Sequence, residues 1–197
     1  RTYKPFVYYG APDAERVIVC MGSVTQCAEE VIDYLTAKGE KVGMVKVHVY
    51  RPFDTARFLA AMPKTVKKIA VLDRTIEQGA LYEPLCLDVQ AAYYGKKDAP
   101  VIVGGRYGLS SKDTTPQCVH AVFTNLEKDE PKDHFVVGIV DDIDNTSLPL
   151  GPAIDVADPS TTELLFFGLG SDGTVGACKN IAKIVGDYTD LYSQSYA

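Results

Sequence analysis

Hydrophobic residues along the chain follow two patterns, short continuous apolar runs and longer segments with a helical period. The apolar runs predict buried strands at Arg16–Gly22, Lys41–Tyr50, Lys67–Asp73, Ala99–Gly108 and Phe135–Asp142. Apolar residues spaced three or four apart predict amphipathic helices at Thr25–Gly39, Thr55–Met62, Ala80–Gly95 and Thr115–Lys128. Strands that alternate with helices of this length predict an α/β fold, a mainly parallel five-stranded sheet with helices on both faces.

This alternation stops after Asp142. Residues 143–162 contain three prolines and no apolar period, which indicates a connector. A further apolar run at Glu163–Gly168 predicts a strand, and the pattern at Val175–Gly186 predicts a helix. We therefore expect an α/β domain at residues 1–142, a connector at 143–162, and the opening βα unit of a second domain at 163–197. The chain opens without an initiator Met and reads as a piece of a longer protein.

Charge and cysteine usage exclude several classes of protein. The formal net charge is −6, which disfavours a nucleic-acid partner on electrostatic grounds. No apolar stretch approaches the roughly 18 residues that a membrane span needs. Five cysteines at irregular spacing, with no C-x-x-C among them, argue against a disulfide framework, a zinc ribbon and the usual iron–sulfur spacing.

The turn Gly168–Gly173 fits the pattern G-x-G-x-x-G between a predicted strand and a predicted helix. Glycines in such a turn allow a phosphate to approach the helix N-terminus closely. The candidate cofactor-binding residues are Gly170, Ser171, Asp172, Gly173 and Thr174. The alternative is a tight strand-to-helix turn in which Asp172 or Thr174 caps the helix. A Walker A loop is excluded because Thr174 stands where that motif needs Lys.

Catalytic and metal-binding patterns are absent from the sequence. The acidic stretch Asp141–Thr146 fails as a calcium loop, because Ser147 and Ala153 replace the Gly and Glu that an EF-hand requires. The Gly-Asp-Gly of a thiamine diphosphate site is not present, and the three histidines are scattered. We therefore assign no catalytic and no metal-ligating residue.

Three loops that follow predicted strands carry an arginine each, Arg51, Arg74 and Arg106. Loops at the carboxyl ends of parallel strands are where open α/β sheets usually bind ligands. A guanidinium there could clamp a carboxylate or phosphate, or tie one domain to another by paired hydrogen bonds. The residues leave both interpretations open, and we favour the domain interface.

Long blocks of the sequence resemble one family. The blocks GEKVGMVKVHVYRPF, GRYGLSSKDTTP, HFVVGIVDDIDNTSLP and GLGSDGTVGACKNIAKIVGD look like consecutive segments of pyruvate:ferredoxin (flavodoxin) oxidoreductase. The resemblance implies that residues 1–142 are its transketolase-C-terminal-like domain, and that the segment from about Glu163 begins its γ-like domain.

What the resemblance implies about function concerns the parent enzyme. That enzyme oxidatively decarboxylates pyruvate to acetyl-CoA and CO2 and passes electrons to ferredoxin or flavodoxin. It is a homodimer that uses thiamine diphosphate, Mg and [4Fe-4S] clusters, with CoA as co-substrate. These cofactors would lie in other domains, so we expect this chain to bind none of them alone and to be inactive by itself. The turn Gly170–Thr174 would contact CoA phosphate in the intact enzyme.

Two other functions compete with this interpretation. The chain could be an autonomous nucleotide- or CoA-binding module that acts through Gly168–Gly173. It could also end an ordinary transketolase or dehydrogenase E1 component, although the connector and the glycine turn after Asp142 argue against that. The expected location is the cytoplasm, or a hydrogenosome or mitochondrion-related organelle in a eukaryote.

Overall fold

The computed structural model describes residues 3–196, which divide into two compact units between Ala157 and Asp158. Six strands form one sheet in the first unit: β1 (Phe6–Gly10), β2 (Arg16–Met21), β3 (Val42–Val47), β4 (Lys68–Asp73), β5 (Val101–Tyr107) and β6 (Phe135–Val137). Its helices are α1 (Val24–Thr36), α2 (Thr55–Ala61), α3 (Pro84–Tyr93) and α4 (Pro116–Glu127), with a 3-10 turn at Leu109–Ser111. The second unit contains α5 (Thr174–Tyr188).

The sheet confirms the predicted fold class and adds one strand to the predicted five. Its strand order is β1-β3-β2-β4-β5-β6, and the five strands β2 to β6 run parallel. The added strand β1 pairs antiparallel with β3, with Phe6 opposite Val47 and Gly10 opposite Gly43. An antiparallel edge strand on an otherwise parallel sheet is common in α/β folds.

Each face of the sheet packs against two helices, which explains why the strands read as continuous apolar runs. Successive residues of β2 point to opposite faces: Ile18 belongs to the apolar cluster with α1 and α4, and Val19 to the cluster with α2 and α3. On the second face, Phe58 of α2 is fully buried and packs edge-on against Phe6 with ring centroids 5.5 Å apart. Alternate side chains of each buried strand therefore fill the two apolar layers, one on each face of the sheet.

One glycine is required by close packing between strands. Gly105 in β5 lies directly beside the ring of Phe135 in β6, so a Cβ at position 105 would overlap that ring. Phe135 is fully buried and its strand pairs with Gly105 in parallel register. The Gly-Gly pair in the fourth predicted strand therefore makes room for a neighbouring aromatic side chain.

The strand predicted at Phe135–Asp142 is shorter in the structure. Gly138 has φ +71, a left-handed conformation that ends the extended backbone after Val137. The chain then turns through a loop organised by Asp141, whose carboxylate accepts hydrogen bonds from the amides of Ile143, Asp144 and Thr146. The hydroxyl of Thr146 also donates to this carboxylate, and together with the three amides it lowers the pKa of Asp141. The acidic stretch therefore shapes the loop.

The first part of the predicted connector belongs to the first unit. The amide of Leu148 donates to the carbonyl of Val136 at 2.8 Å, so the chain pairs with the outer edge of β6. Leu148 is buried, and Ile154 and Val156 pack against the same apolar cluster. The boundaries at residues 142 and 162 stay a prediction, and the compact unit extends to Ala157.

The strand predicted at Glu163–Gly168 is wrong. Residues 161–169 have no regular secondary structure, and Leu164, Leu165 and Phe167 are each at least 66% exposed. A strand needs a neighbour that satisfies its amides and carbonyls. Within the described part of the second unit there is no other strand to supply one. The predicted helix is confirmed as α5, which runs two residues further than Gly186.

Candidate functional site

The glycine turn before α5 holds four of the five predicted binding residues, all exposed, and the fifth, Thr174, is the half-buried first residue of α5. Gly170 and Gly173 have φ of +85 and +88, so both positions use the left-handed freedom of glycine. The carboxylate of Asp172 accepts hydrogen bonds from the amide of Leu169 at 2.7 Å and from the amide of Thr174 at 3.0 Å. These bonds, with that of the Thr174 side chain, lower the pKa of Asp172 to about 2.

Asp172 thus occupies two amides of this turn. The bond to Thr174 satisfies one of the free amides at the start of α5, as a capping side chain does. The capping alternative therefore explains the geometry of the turn. Phosphate binding at Gly170–Thr174 stays a prediction.

Of the three arginines that the sequence predicts in loops, Arg51 and Arg74 lie in loops, but Arg106 lies within β5. All three are held by bonds inside the first unit. Arg51 pairs with Asp88 of α3 at 2.6 Å, and Arg106 pairs with Glu83 at 2.7 Å. The Nε of Arg74 donates to the carbonyl of Gly108 at 2.9 Å, which ties the loop after β4 to the loop after β5. The domain-interface role that the sequence favours for these arginines stays a prediction.

Two buried carboxylates at the carboxyl edge of the sheet were missed by the sequence analysis. Asp73 ends β4 and is only 6% exposed, and its two oxygens accept from the amides of Leu85 and Cys86 at 3.1 Å each. Burial raises the pKa of Asp73 to about 6, against the opposing effect of those two bonds and with a further contribution from Glu83. Asp73 therefore caps α3 from the end of a neighbouring strand.

A sequence signal for these two residues did exist. Asp73 stands at the end of the buried run KKIAVLD, and Glu83 immediately precedes Pro84, the first residue of α3. An acid before a helix-initiating proline stands at the N-cap position, but Glu83 makes no capping bond and Asp73 accepts the amides of α3 instead. What the sequence alone leaves out is that both lie in the same place, where Arg106 neutralises Glu83.

Nucleophilic and metal chemistry have little support in the described residues. Burial raises the pKa of Cys20 and Cys86 to about 12 and that of Cys27 to about 11, so these three thiols stay protonated and unreactive. Among residues 3–196, no group of three or more His, Cys, Asp or Glu side chains is arranged to hold a metal ion. None of the helices in that range is long and apolar enough to cross a membrane.

The sheet topology defines the class of fold to which the first unit belongs. An open, mainly parallel sheet with helices on both faces is a doubly wound α/β domain. The family model for pyruvate:ferredoxin oxidoreductase core domain II matches residues 14–119, which is more than half of the chain. The chain belongs to this family, and the resemblance inferred from its sequence blocks is confirmed.

Curated relatives match the chain along its whole length. The pyruvate-flavodoxin oxidoreductases of Klebsiella pneumoniae and Enterobacter agglomerans are 56% and 54% identical to it, over 199 and 197 residues. The pyruvate:ferredoxin oxidoreductase of Moorella thermoacetica is 55% identical over 198 residues. In each case the match covers 100% of this chain and 17% of the relative, so the chain spans about one sixth of their length.

One solved structure is also similar. The 2-oxoglutarate:ferredoxin oxidoreductase of Magnetococcus marinus, with 2-oxoglutarate, coenzyme A and succinyl-CoA bound, is 20% identical, with a TM-score of 0.43. The match covers 64% of this chain and 19% of that one.

Proposed function

We propose that this chain is a non-catalytic, interdomain part of a pyruvate:ferredoxin (flavodoxin) oxidoreductase. The observation that carries the proposal is identity of 54–56% along the entire chain to relatives with that activity in their names. The complete enzyme would convert pyruvate to acetyl-CoA and CO2 and reduce ferredoxin or flavodoxin.

The chemistry of the described residues supports a structural role for this part. At the carboxyl edge of the first unit's sheet, Asp73 caps α3 and Arg106 pairs with Glu83, so neither group is left free for catalysis. Thiamine diphosphate, Mg and [4Fe-4S] clusters would be held by other domains of the same homodimeric protein. We place that protein in the cytoplasm; an organelle of the hydrogenosome or mitochondrion type is the alternative for a eukaryotic source.

The proposal is tested by assaying the isolated 197-residue chain. We expect no pyruvate-dependent reduction of flavodoxin and none of the visible absorbance that iron–sulfur clusters give. The full-length Klebsiella pneumoniae enzyme, prepared in the same way, is the positive control. Turnover or cluster absorbance from the isolated chain would contradict the non-catalytic role.

The finer proposal is that Gly170–Thr174 contacts CoA phosphate in the complete enzyme. Gly173 has φ +88, so an Ala there would strain the turn next to the proposed phosphate. Gly176, inside α5, has open space around its Cα and no positive φ, so an Ala there provides a matched control. We would place both variants in a hybrid, the Klebsiella pneumoniae enzyme with its matching segment replaced by this chain.

In that hybrid, Gly173→Ala should raise the KM for CoA several-fold and leave the KM for pyruvate unchanged. Gly176→Ala should change neither constant. Equal KM values for CoA in the two variants would contradict the proposal that this turn contacts CoA. Calorimetry on the isolated chain separates the alternative, since tight saturable binding of NAD, ATP or CoA would favour an autonomous nucleotide-binding module.

A further inference from the structure

A crevice lies at the carboxyl edge of the first unit's sheet, between the ends of β2 and β4. From β2 the chain crosses through α1 to β3 on one side, while β4 lies on the other side of β2. Such a reversal of strand order opens a gap between the connecting loops, where ligands of open α/β sheets bind. Two adjoining spaces of about 230 and 330 Å³ occupy this gap, and both are lined by Ser23, Arg74 and Tyr107.

The smaller space is lined by two cations. Arg74 and Lys112 both border it, and neither has a carboxylate within 4 Å among residues 3–196. Of the five arginines in that range, Arg74 is the one without such a partner. Its Nε is fixed on the carbonyl of Gly108, so the guanidinium is held in position by the loop rather than by an acid.

Besides Val24, Cys27 and Tyr107, three aliphatic hydroxyl groups and one acid line the smaller space. The hydroxyls belong to Ser23, Ser111 and Thr114, and that of Ser23 makes no capping bond to α1. Asp113 is the single acidic residue on this lining, so two positive side chains face one negative one. Fixed guanidinium, ammonium and hydroxyl groups together are the chemistry that binds phosphate.

The larger space has a different character. Apolar and aromatic side chains line most of it, namely those of Met21, Leu72, Pro84, Tyr50 and Tyr107. Asp73 also borders it, but both oxygens of this carboxylate are engaged by the amides of α3. A largely apolar space beside a cationic one suits a ligand that has a phosphate at one end and a flat organic body at the other.

We propose that this crevice binds a phosphomonoester of the nucleoside monophosphate class. The phosphate lies between Arg74 and Lys112 in the smaller space, and the organic body lies against Tyr50 and Tyr107 in the larger one. This site is in the first unit and is separate from the turn at Gly170–Thr174, so the two proposals succeed or fail independently.

The test is titration of the isotopically labelled 197-residue chain, followed by amide NMR shifts, with AMP, inorganic phosphate and adenosine as separate probes. AMP should bind saturably and more tightly than either of its parts, and the shifted amides should include those of Ser23, Thr75 and Ser111. Saturation that shifts only the amides of Gly170–Thr174, or AMP binding no tighter than inorganic phosphate, would overturn the proposal.

Charge variants sharpen this experiment. Lys112→Gln should weaken AMP binding at least about fivefold, because an exposed ammonium next to a phosphate contributes a charge-assisted hydrogen bond. The control is Lys97→Gln, an equal change in net charge at an exposed residue in the loop between α3 and β5, at the opposite edge of the sheet. Equal affinities for the two variants would overturn the proposal. Both lysines are exposed, so folding of either variant is expected and is checked by its amide spectrum.

Discussion

The two compact units of the chain differ in the extent to which their side chains are buried. The first unit closes an apolar layer on each face of its sheet, and side chains such as Ile18, Ile69 and Phe123 are at most 1% exposed. In the second unit no residue between 158 and 196 is buried, although α5 has a clear apolar face. A helix in a protein is stabilised mainly by packing of that face.

This difference shows that sequence pattern and independent stability are separate properties. The patterns at Thr25–Gly39 and Val175–Gly186 look alike in the sequence, yet α1 is packed and α5 has Ile184 and Tyr188 exposed by 56% and 82%. We infer that the second unit obtains its core from further polypeptide of the same protein. This agrees with relatives about six times as long as the chain.

The largest expected difference in unfolding free energy is between two Ile→Ala substitutions, one in α1 and one in α5. Ile32→Ala in α1 removes a fully buried side chain and should cost about 2–5 kcal/mol of unfolding free energy. Ile184→Ala in α5 should cost under about 0.5 kcal/mol, since that side chain is largely exposed. Urea unfolding of the two variants measures both. Similar losses would mean that α5 is packed as α1 is.

The second prediction concerns pH and the buried Asp73. Its pKa is about 6 in the folded protein and 3.8 in the reference state, so the folded form binds more protons between these values. Stability from this group is fully present below pH 3.8 and is lost as the pH rises through 6, by at most about 3 kcal/mol. Asp73→Asn should remove this slope in urea unfolding measured from pH 4 to 7.

The matched control for that experiment is Asp172→Asn in the second unit. Asp172 also accepts two amides, but it is exposed and its pKa is lowered to about 2. It therefore titrates below pH 4 and should leave the slope above pH 4 unchanged. A slope that survives in Asp73→Asn would show that another group is responsible.

A smaller effect is expected from the arginines at the carboxyl edge. Arg106→Met leaves the carboxylate of Glu83, whose side chain is 7% exposed, without its cation and should cost about 1–3 kcal/mol. Arg51→Met should cost less, because the side chains of Arg51 and Asp88 are 56% and 26% exposed. Adding Glu83→Gln to Arg106→Met should restore part of the loss, and no recovery would contradict the pairing.

The smallest effect should come from the turn before α5. Asp172→Asn should speed amide hydrogen exchange at Leu169 and Thr174, because an uncharged amide side chain accepts these bonds less strongly. Asp158→Asn changes a similar exposed carboxylate that binds Ser160, and it should leave Leu169 and Thr174 unaffected. Unchanged hydrogen exchange at Leu169 and Thr174 in Asp172→Asn would contradict the capping role of Asp172.

Local patterns predicted most of the first unit because each parallel strand is a long buried run followed by a helix. They missed β1, since FVYYG is short, runs antiparallel and has no helix after it. They wrongly predicted a strand at Glu163–Gly168, because a strand depends on a neighbour that the pattern does not contain. The sequence marks Asp73 as the end of a buried run, but which helix it caps is set by a contact across the fold.

For the candidate site, the sequence located the glycine turn and named Asp172 as one possible cap. It could not foresee that this carboxylate occupies the amides of both Leu169 and Thr174. The crevice beside Arg74 was within the predicted loop set, but its lining combines residues from four separate loops. Such convergence is set by strand order, which the sequence pattern does not specify.

Hydrogen exchange of α5 tests most directly whether the second unit needs further polypeptide. The rates would be measured for residues 174–188 in the isolated chain and in the hybrid Klebsiella pneumoniae enzyme, with β2 and β4 as internal references. We predict fast exchange of α5 in the isolated chain, strong protection in the hybrid, and protected β2 and β4 in both. Protection of α5 already in the isolated chain, or its absence in the hybrid, would contradict the incompleteness of the second unit.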